Sequence, residues 1–537
     1  MTSLFSEDIF LLVLRDLDVR ALALSGSVCK CWQELAGGLV EEPHWVTGMS
    51  RKNSVDEAVA EVFAYCSRRA FRPNVAILFL TDDMLRPPEG GEDAELEAGA
   101  ITRIVSRELA KLPPELCLVG CTGVGIVGLD IASQTAQELE PADVRTLTPQ
   151  ELAAMNVEAP TTAEVEGRES RMVQRSGVSL ALARVAAATP HGFLIKTKED
   201  ADSAMNQLTT LYGDAAGRSV RALVLADVHS HRQSQRLQTL IQQLDCTWPA
   251  SEVTGGLASS FQNGLSRVLF RGNGRADEEV VLCKGATALL TLASKNHVEA
   301  GAEVLPLTHA TVARNYAPVG PVLRVLEADK LLITKVADVE AGAPPEGGEG
   351  VLPGQKLIET VESMQEMGMS PLGIMCGISA CANANASQLP LFDIAGIPKG
   401  GIQLDCDCNM DAVPVGSILR FMSANMSGHM EKDVIDTMHW TEAYLQTKPG
   451  FGNRLVDGGR AEAKTRVRGS LMFACCGRGA AFYEKANVDS LAFMDAFPSA
   501  QGVCGFFCNG EIGPTHLGSS LTQMHGFTSV YTLFEGV

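Results

Sequence analysis

The sequence lacks an apolar run long enough to cross a membrane, and it has few basic residues for its number of acidic ones. Its 537 residues include 44 Lys and Arg against 64 Asp and Glu, which gives a formal net charge of −20. A spanning helix needs about 20 consecutive apolar residues, and nucleic acids and anionic lipids attract basic surfaces. We therefore expect neither a membrane nor a nucleic acid as a partner.

The sequence also lacks the features of a secretory leader. The apolar run Ile9–Leu14 is short and is bounded by Asp8 and Arg15, whereas a leader has a longer apolar stretch after basic residues. The 15 cysteines are odd in number and irregularly spaced. This pattern favours free thiols in a reducing compartment over a disulfide framework. We expect a cytoplasmic or nuclear protein.

Residues 4–36 have the spacing of three short amphipathic helices. Ile9, Leu12 and Val13 share a face of the first helix, and Val28 and Trp32 share a face of the third. Helices this short bury too little apolar surface to be stable alone. We therefore expect a partner to stabilise the segment.

This segment resembles an F-box, the small helical motif that docks on the Skp-type adaptor of an SCF ubiquitin ligase. The resemblance rests on the apolar first helix, on Asp18-Val-Arg-Ala-Leu22 and on Val28-Cys-Lys-Cys-Trp32. It implies an F-box at residues 1–48 that contacts the adaptor through five side chains: Leu12, Val13, Leu24, Val28 and Trp32. The alternative is an amphipathic helical hairpin that belongs to the main domain.

Beyond the first helices, the order strand, acidic residue, helix, strand and small-residue turn occurs twice. The first copy begins with Val75–Leu80 and Asp82, and the second with Arg221–Ala226 and Asp227. Continuous apolar runs of this length are typical of strands buried on both faces. We predict an α/β fold with mostly buried sheets, with α+β as the alternative. Residues 135–170 are polar and irregular, and we interpret them as an insertion.

In the second half, the pattern predicts a strand pair at Leu323–Val339 and a helix at residues 354–368. The spacing of apolar residues at Ser417–Met426 predicts a further helix. Val488–Phe497 has the spacing of a short helix between two strands that end in glycine-rich turns.

Three stretches near the C-terminus resemble the FIST C-terminal domain: Cys475-Cys-Gly-Arg-Gly479, Gly505–Ile512 and His525–Phe534. Val75–Asp82 and Gly120–Gly125 are similar to the FIST N-terminal domain. The resemblance implies a FIST N-terminal domain at residues 70–305 and a FIST C-terminal domain at residues 310–534.

An F-box followed by two FIST domains resembles the family of F-box and intracellular signal transduction proteins. This resemblance implies the substrate receptor of an SCF-type E3 ligase, which binds the adaptor and cullin and recruits a protein for ubiquitination and proteasomal degradation. Such a receptor has no catalytic site of its own and contributes proximity. The similarity to prokaryotic FIST pairs implies the alternative, a sensor of a small, amino-acid-like ligand. The two functions are compatible.

Glycine-rich strand tips can bring backbone N–H groups and a charged pair to one small ligand. Arg478 can hold a ligand carboxylate with two hydrogen bonds, or it can pair internally with Glu511. The residues that we expect to form a ligand pocket are Gly120, Cys121, Thr122, Cys475, Arg478, Asn509 and Glu511.

Three other motifs are candidates for a dinucleotide site, a zinc site and a cysteine nucleophile. Gly123-Val-Gly-Ile-Val-Gly128 matches G-x-G-x-x-G, but no strand that ends in an acidic residue follows at the spacing that dinucleotide binding requires. Cys406-Asp-Cys408 is too closely spaced for structural zinc. We therefore expect no cofactor and no metal. A third hypothesis is a cysteine-dependent enzyme with Cys475 or Cys476 as nucleophile, which needs a histidine base; His516 and His525 are the nearest in sequence.

Overall fold

The computed structural model describes the chain from His44 onward, with gaps. The described ranges are 44–68, 71–85, 94–154, 157–165, 171–185, 188–213, 220–261, 265–272, 279–294, 308–314, 316–339, 350–366, 374–379, 389, 391–405, 412–424, 430–447, 466–519 and 521–536. The predicted adaptor-binding residues Leu12, Val13, Leu24, Val28 and Trp32 lie outside these ranges. Their role stays a prediction.

The described chain forms three units that share the order strand, helix, strand, helix, strand, hairpin and strand, with additional short elements in the first and third units. The first unit contains β1 His44–Ser50, α1 Val55–Cys66, β2 Val75–Thr81, α2 Ala94–Leu109, β3 Cys117–Gly123, β4 Ile126–Leu129, β5 Ala136–Leu139, β6 Ala142–Asp143, α3 Pro149–Ala154, α4 Thr162–Val165, β7 Met172–Val173 and β8 Val178–Arg184. The second contains β9 Ala188–Ile195, α5 Lys198–Tyr212, β10 Arg221–Ala226, α6 His231–Thr247, β11 Glu252–Leu257, β12 Val268–Arg271, β13 Val281–Cys283 and β14 Thr287–Ser294.

The third unit is interrupted by a separate barrel. It begins with β15 Thr308–Arg314 and resumes with α8 Met430–Gln446, β22 Arg466–Cys475, α9 Ala480–Tyr483, α10 Val488–Ala496, β23 Val503–Cys508, β24 Glu511–Pro514, β25 Thr522–His525 and β26 Thr528–Gly536. Between these parts lie β16 Tyr316–Asp329, β17 Leu332–Asp338, α7 Pro353–Glu366, β18 Met375–Ser379, β19 Leu391–Gly396, β20 Ile402–Asp405 and β21 Ile418–Ala424.

A parallel strand pair with a connecting helix forms the middle of each unit. The pairs are β2 with β3, β10 with β11, and β22 with β23. In each pair, a glycine of the second strand approaches the first so closely that a Cβ would lie 1.8 to 1.9 Å from a carbonyl oxygen; these are Gly120, Gly255 and Gly505. The first two units are the ones that the sequence pattern predicts, and the third repeats their construction.

The hairpin that follows each parallel pair joins the sheet of another unit. Strand β4 of the first hairpin pairs with β23, β12 of the second pairs with β3, and β24 of the third pairs with β11. The resulting six-stranded sheets have the orders β1-β8-β2-β3-β12-β13, β9-β14-β10-β11-β24-β25 and β15-β26-β22-β23-β4-β5. Each sheet therefore needs strands from two units.

The three sheets face one shared core. Phe79, Leu225 and Phe473 point into it from the first, second and third sheets, and Phe79 stacks on Phe506 with ring centroids 5.0 Å apart. The opposite face of each sheet packs on helices: α1 and α2, α5 and α6, and α8 and α10. Both faces of the central strands are therefore apolar, which explains their continuous apolar runs. The predicted α/β class with buried sheets is confirmed.

The barrel is a closed six-stranded sheet in the order β16-β17-β20-β19-β18-β21. The strand pair predicted at Leu323–Val339 is β16 and β17, and the predicted helix at 354–368 is α7. The helix predicted at Ser417–Met426 is wrong, because Ile418–Ala424 is strand β21. Leu419 and Phe421 fill the barrel, and a strand buried on both faces has an apolar run that periodicity cannot tell from a helix.

Two boundaries differ from those the sequence predicts. Strand β1 begins at His44 and pairs along its length with β8, so residues 44–48 of the range given for the predicted F-box belong to the first sheet. Trp45 of this strand is 1% exposed and stacks on Phe534 at 4.5 Å. The interpretation of residues 135–170 as an irregular insertion is also too broad, since β5 extends the third sheet.

None of the helices in the ranges given above is long and apolar enough to cross a membrane.

Candidate ligand-binding site

A cavity of about 690 Å³ lies where the carboxyl ends of β3, β11 and β23 meet. Val124, Ser259 and Asn509 follow these three strands and line the cavity. Open α/β sheets bind ligands at the carboxyl ends of their parallel strands. The remaining wall is partly apolar and partly polar, with Glu140, Pro141, Met172, Val228, His229, Ala258, Ser260, Phe261, Ser266, Cys476, Gly477, Arg478, Ala481 and Phe507.

Ser259 ties the three strand ends together. Its N–H donates to the Thr122 carbonyl at 3.2 Å, and its Oγ accepts the Val124 N–H at 2.9 Å. The same hydroxyl donates to the carbonyl of Phe507. These bonds join strand ends from all three units, so the shape of the cavity depends on all three.

Asp82, the residue after β2, fixes one wall of the cavity. Its side chain is fully buried, its Oδ2 accepts the N–H of Phe261 at 2.7 Å, and its Oδ1 accepts from the Gln174 amide at 2.9 Å. A buried carboxylate needs such donors. The first unit thereby positions a lining residue that belongs to the second.

Asp227, the residue after β10, orients the imidazole of His229. Asp227 Oδ2 accepts the N–H of Gly285 at 2.8 Å and lies 2.8 Å from His229 Nε2. Because a carboxylate accepts, Nε2 carries a proton, and Nδ1 is the ring nitrogen that this bond leaves for another partner. Ser266 Oγ lies 3.5 Å from Nε2. The wall thus includes an oriented imidazole backed by a buried carboxylate.

Arg478 lines the cavity but is held by the protein itself. Its Nη2 donates to Asp489 Oδ1 at 2.8 Å and its Nε to Oδ2 at 3.2 Å, and both side chains are 0% exposed. Nη1 donates to the Phe527 carbonyl at 3.1 Å, and Nη2 also donates to the Tyr483 hydroxyl. The expected Arg478–Glu511 pair is therefore replaced by a pair with Asp489, and these bonds occupy the guanidinium that a ligand carboxylate would need.

Two carboxyl groups beside the cavity have raised pKa values. Burial raises the pKa of Glu140 to about 7, although the Ala480 N–H donates to Oε1 at 2.7 Å. Burial raises the pKa of Glu138 to about 8, and the nearby charge of Asp489 adds to the shift. Glu140 therefore changes protonation near neutral pH.

Cys476 is an exposed thiol on the cavity wall. A hydrogen bond from the Cys475 thiol lowers the pKa of Cys476 to about 7, and the same bond together with burial raises the pKa of Cys475. His516 and His525 do not line the cavity, and burial lowers the pKa of His525 to about 3. The histidine that shares the cavity with Cys476 is His229, far away in sequence.

Of the seven predicted pocket residues, Arg478 and Asn509 line the cavity. Gly120, Cys121 and Thr122 lie within β3 instead of in a turn, and their burial keeps them away from the wall. Cys475 ends β22 behind Cys476. Glu511 is buried, its Oε2 accepts the Thr528 hydroxyl at 2.8 Å, and burial raises its pKa well above the usual range.

The G-x-G-x-x-G match lacks the strand-to-helix geometry of a dinucleotide site. The segment of the G-x-G-x-x-G match leads from β3 into β4, so no helix N-terminus faces a phosphate there. Cys406 and Cys408 lie outside the described residues. Within the described ranges, no group of three or more His, Cys, Asp or Glu side chains could hold a metal ion.

Sequence reasoning missed Glu140, His229, Ser260, Phe261 and Ser266 as lining residues. The repeated pattern could have indicated Ser260, Phe261 and Ser266, because they follow β11 in the second unit as the predicted turn follows β3 in the first. Glu140 lies in the polar segment that the sequence marks as an insertion, and only its burial distinguishes it from a surface residue.

The fold and cavity define an α/β protein with a candidate ligand site at its strand ends. The FIST N domain model matches residues 95–338, and the FIST C domain model matches residues 358–514. The chain therefore contains a FIST N and a FIST C domain. FIST domains are associated with signal transduction and the sensing of small ligands. Neither match covers residues 4–36, so the F-box resemblance rests on sequence pattern alone.

Two curated relatives are uncharacterised proteins of Mycobacterium bovis and Mycobacterium tuberculosis. Each is 26% identical to this chain over 302 residues, which is 55% of this chain and 63% of the relative. The chain thus spans less than two thirds of the length of these relatives.

Proposed function

We propose that the protein is a small-ligand sensor in signal transduction and that its ligand binds in the strand-end cavity. The observation that carries the proposal is the cavity of about 690 Å³ with strand ends from all three units in its wall. This volume falls in the range of about 300–1,000 Å³ that is usual for small-molecule sites. A ligand bound there would contact residues of all three units.

The wall favours a small polar ligand. His229 Nδ1 and the side chain of Asn509 offer hydrogen bonds, and the apolar surface of Phe261 and Phe507 lies beside them. Among the described lining residues, the guanidinium is that of Arg478, and Asp489 holds it. A ligand recognised mainly through several negative charges fits this wall poorly, because desolvating such charges needs available cations.

Thermal denaturation of the full chain in the presence of a broad metabolite collection tests the proposal. A ligand that binds only the folded state stabilises it by about 2.7 kcal/mol at a concentration 100 times its Kd. We expect at least one small polar compound to raise Tm in a concentration-dependent way. A collection that leaves Tm unchanged throughout would contradict the proposal.

A second candidate function is substrate recruitment in an SCF-type ligase, and it rests on the F-box resemblance of residues 4–36. The first sheet begins at His44, and seven residues separate it from the end of that segment. We propose that Leu12, Val13, Leu24, Val28 and Trp32 bind a Skp-type adaptor, through which the chain joins a cullin and presents a protein substrate.

A pull-down with the adaptor and cullin tests this second candidate. The full chain should retain both proteins, and a chain with Leu12→Ala and Trp32→Ala should lose them. The matched control replaces two exposed side chains of the body, Trp440 and Leu491, with Ala and should bind normally. Equal retention by all three chains, or by none, would refute adaptor binding through this segment.

A further inference from the structure

The cysteines at the end of the third parallel pair are arranged unlike the corresponding residues of the other units. After β2 and β10 the chain places the buried carboxylates Asp82 and Asp227. After β22 it places Cys476, whose thiol is exposed on the cavity wall. Cys475 precedes it and pairs across the parallel strands with Cys508.

We propose that Cys475 and Cys476 form a redox-active thiol pair on the cavity wall, in which a hydroperoxide oxidises Cys476 and Cys475 then closes a disulfide with it. The Cys476 thiolate attacks the terminal peroxide oxygen, the O–O bond breaks, and Cys476 becomes a sulfenic acid while the peroxide leaves as an alcohol or water after taking up a proton. The Cys475 thiol attacks the sulfenic sulfur and releases water. The two thiols lose two electrons in total, and the peroxide gains them. This proposal does not rest on the ligand-sensing function proposed above.

The geometry assigns different roles to the three thiols. Cys476 is exposed, so a peroxide can reach it through the cavity, and its lowered pKa, about 7, supplies thiolate at neutral pH. Cys475 is half-buried and adjacent in the chain, so it can resolve the sulfenic acid without a second chain. Cys508 is fully buried and does not line the cavity, and it is not adjacent to Cys476 in the chain. It is therefore placed less well than Cys475 to attack the sulfenic sulfur.

A disulfide between neighbours would be readily reversible. Consecutive Cα atoms lie about 3.8 Å apart, whereas disulfides usually join Cα atoms about 4.4–6.8 Å apart. Such strain makes the bond easier to reduce. The pair would therefore respond to the thiol–disulfide balance of its compartment instead of serving as a permanent crosslink.

Peptide mass spectrometry of the full chain tests the proposal. Trypsin cleavage after Arg468 and Arg478 yields a peptide of residues 469–478 that holds Cys475 and Cys476 and no other cysteine. The protein is treated with hydrogen peroxide and its remaining thiols are then alkylated. We expect this peptide to carry no alkyl group and to weigh two hydrogens less than its reduced form. Dithiothreitol should restore both thiols. The oxidation rate should be half-maximal near pH 7, where Cys476 holds roughly 15 times more thiolate than an ordinary thiol.

Two variants and a control complete the test. Cys476→Ser should abolish the two-hydrogen loss, and Cys475→Ser should leave a sulfenic acid on Cys476 that dimedone traps. Cys246→Ser, which removes an exposed thiol of α6 outside this peptide, should change neither result. The proposal is overturned if wild-type peptide 469–478 keeps both thiols alkylatable at peroxide doses that oxidise Cys246, or if it becomes linked to another peptide.

Discussion

Replacing Asp489 with Asn should destabilise the protein strongly, because the change leaves the guanidinium of Arg478 buried without a counter-ion. Both side chains are 0% exposed, and two of the hydrogen bonds that hold Arg478 end on this carboxylate, at 2.8 and 3.2 Å. Tyr531 also donates its hydroxyl to Asp489 Oδ1 at 3.2 Å. Removing one partner of such a buried pair costs about 3–5 kcal/mol.

Urea unfolding followed by tryptophan fluorescence measures this loss, since Trp45 is buried against Phe534 of the third unit. Arg478→Met with Asp489→Leu removes both charges and should be more stable than Asp489→Asn alone. The matched control is Glu431→Gln, which breaks an exposed ion pair with Lys485 in the same unit and should change stability by less than about 1 kcal/mol. If Asp489→Asn also loses less than about 1 kcal/mol, Arg478 is not held in this way and remains free for a ligand.

Two further predictions follow from the sheets and from the carboxyl groups beside the cavity. Gly505→Ala would place a Cβ 1.9 Å from the Met472 carbonyl oxygen and should lower the free energy of unfolding in urea by about 3 kcal/mol or more. The control Gly396→Ala, with nothing within 4 Å of its Cβ, should lower it far less. Similar losses in the two variants would contradict the close approach of the strands. The pKa of Glu140 in the folded state is raised to about 7 from an ordinary 4.5. Between pH 4.5 and pH 7 the folded state therefore binds more protons than the unfolded state, and this group makes the free energy of unfolding fall as the pH rises through that range. Glu140→Gln should therefore make the slope of unfolding free energy against pH less negative, by up to about 1.4 kcal/mol per pH unit, and an unchanged slope would show that Glu140 titrates normally.

The fold class and many individual elements could be predicted because they depend on local pattern. Strands buried on both faces appear as continuous apolar runs such as Val75–Leu80. The two α/β units that the pattern indicates are present. The third was hidden because the barrel of residues 316–424 separates β15 from the rest of its unit.

The exchange of hairpins could not be predicted, because strand pairing partners can lie anywhere in the chain. Val127 of β4 pairs with Gly505 of β23, and no local pattern records a contact over that separation. The cavity is a product of this exchange. Its composition therefore emerges only when the three sheets are assembled.

The roles of polar residues were the least predictable part of the candidate site. Arg478 was correctly predicted to line the cavity. Its partner Asp489 belongs to helix α10, and from the sequence alone an acidic residue in a helix is expected to face solvent. His229 has no motif around it, and its orientation by Asp227 depends on a bond of 2.8 Å. These roles depend on hydrogen-bond partners and burial, which cannot be read from the local sequence.

Titration calorimetry of a cavity-filling variant shows whether a small ligand occupies the strand-end cavity. Ala481 is exposed and lines the cavity, whereas Ala64 is exposed on α1 on a different surface. For a compound that stabilises the wild-type protein, we predict that Ala481→Trp weakens binding at least tenfold and that Ala64→Trp leaves it unchanged. Equal binding by the two variants would place the ligand elsewhere and contradict the account.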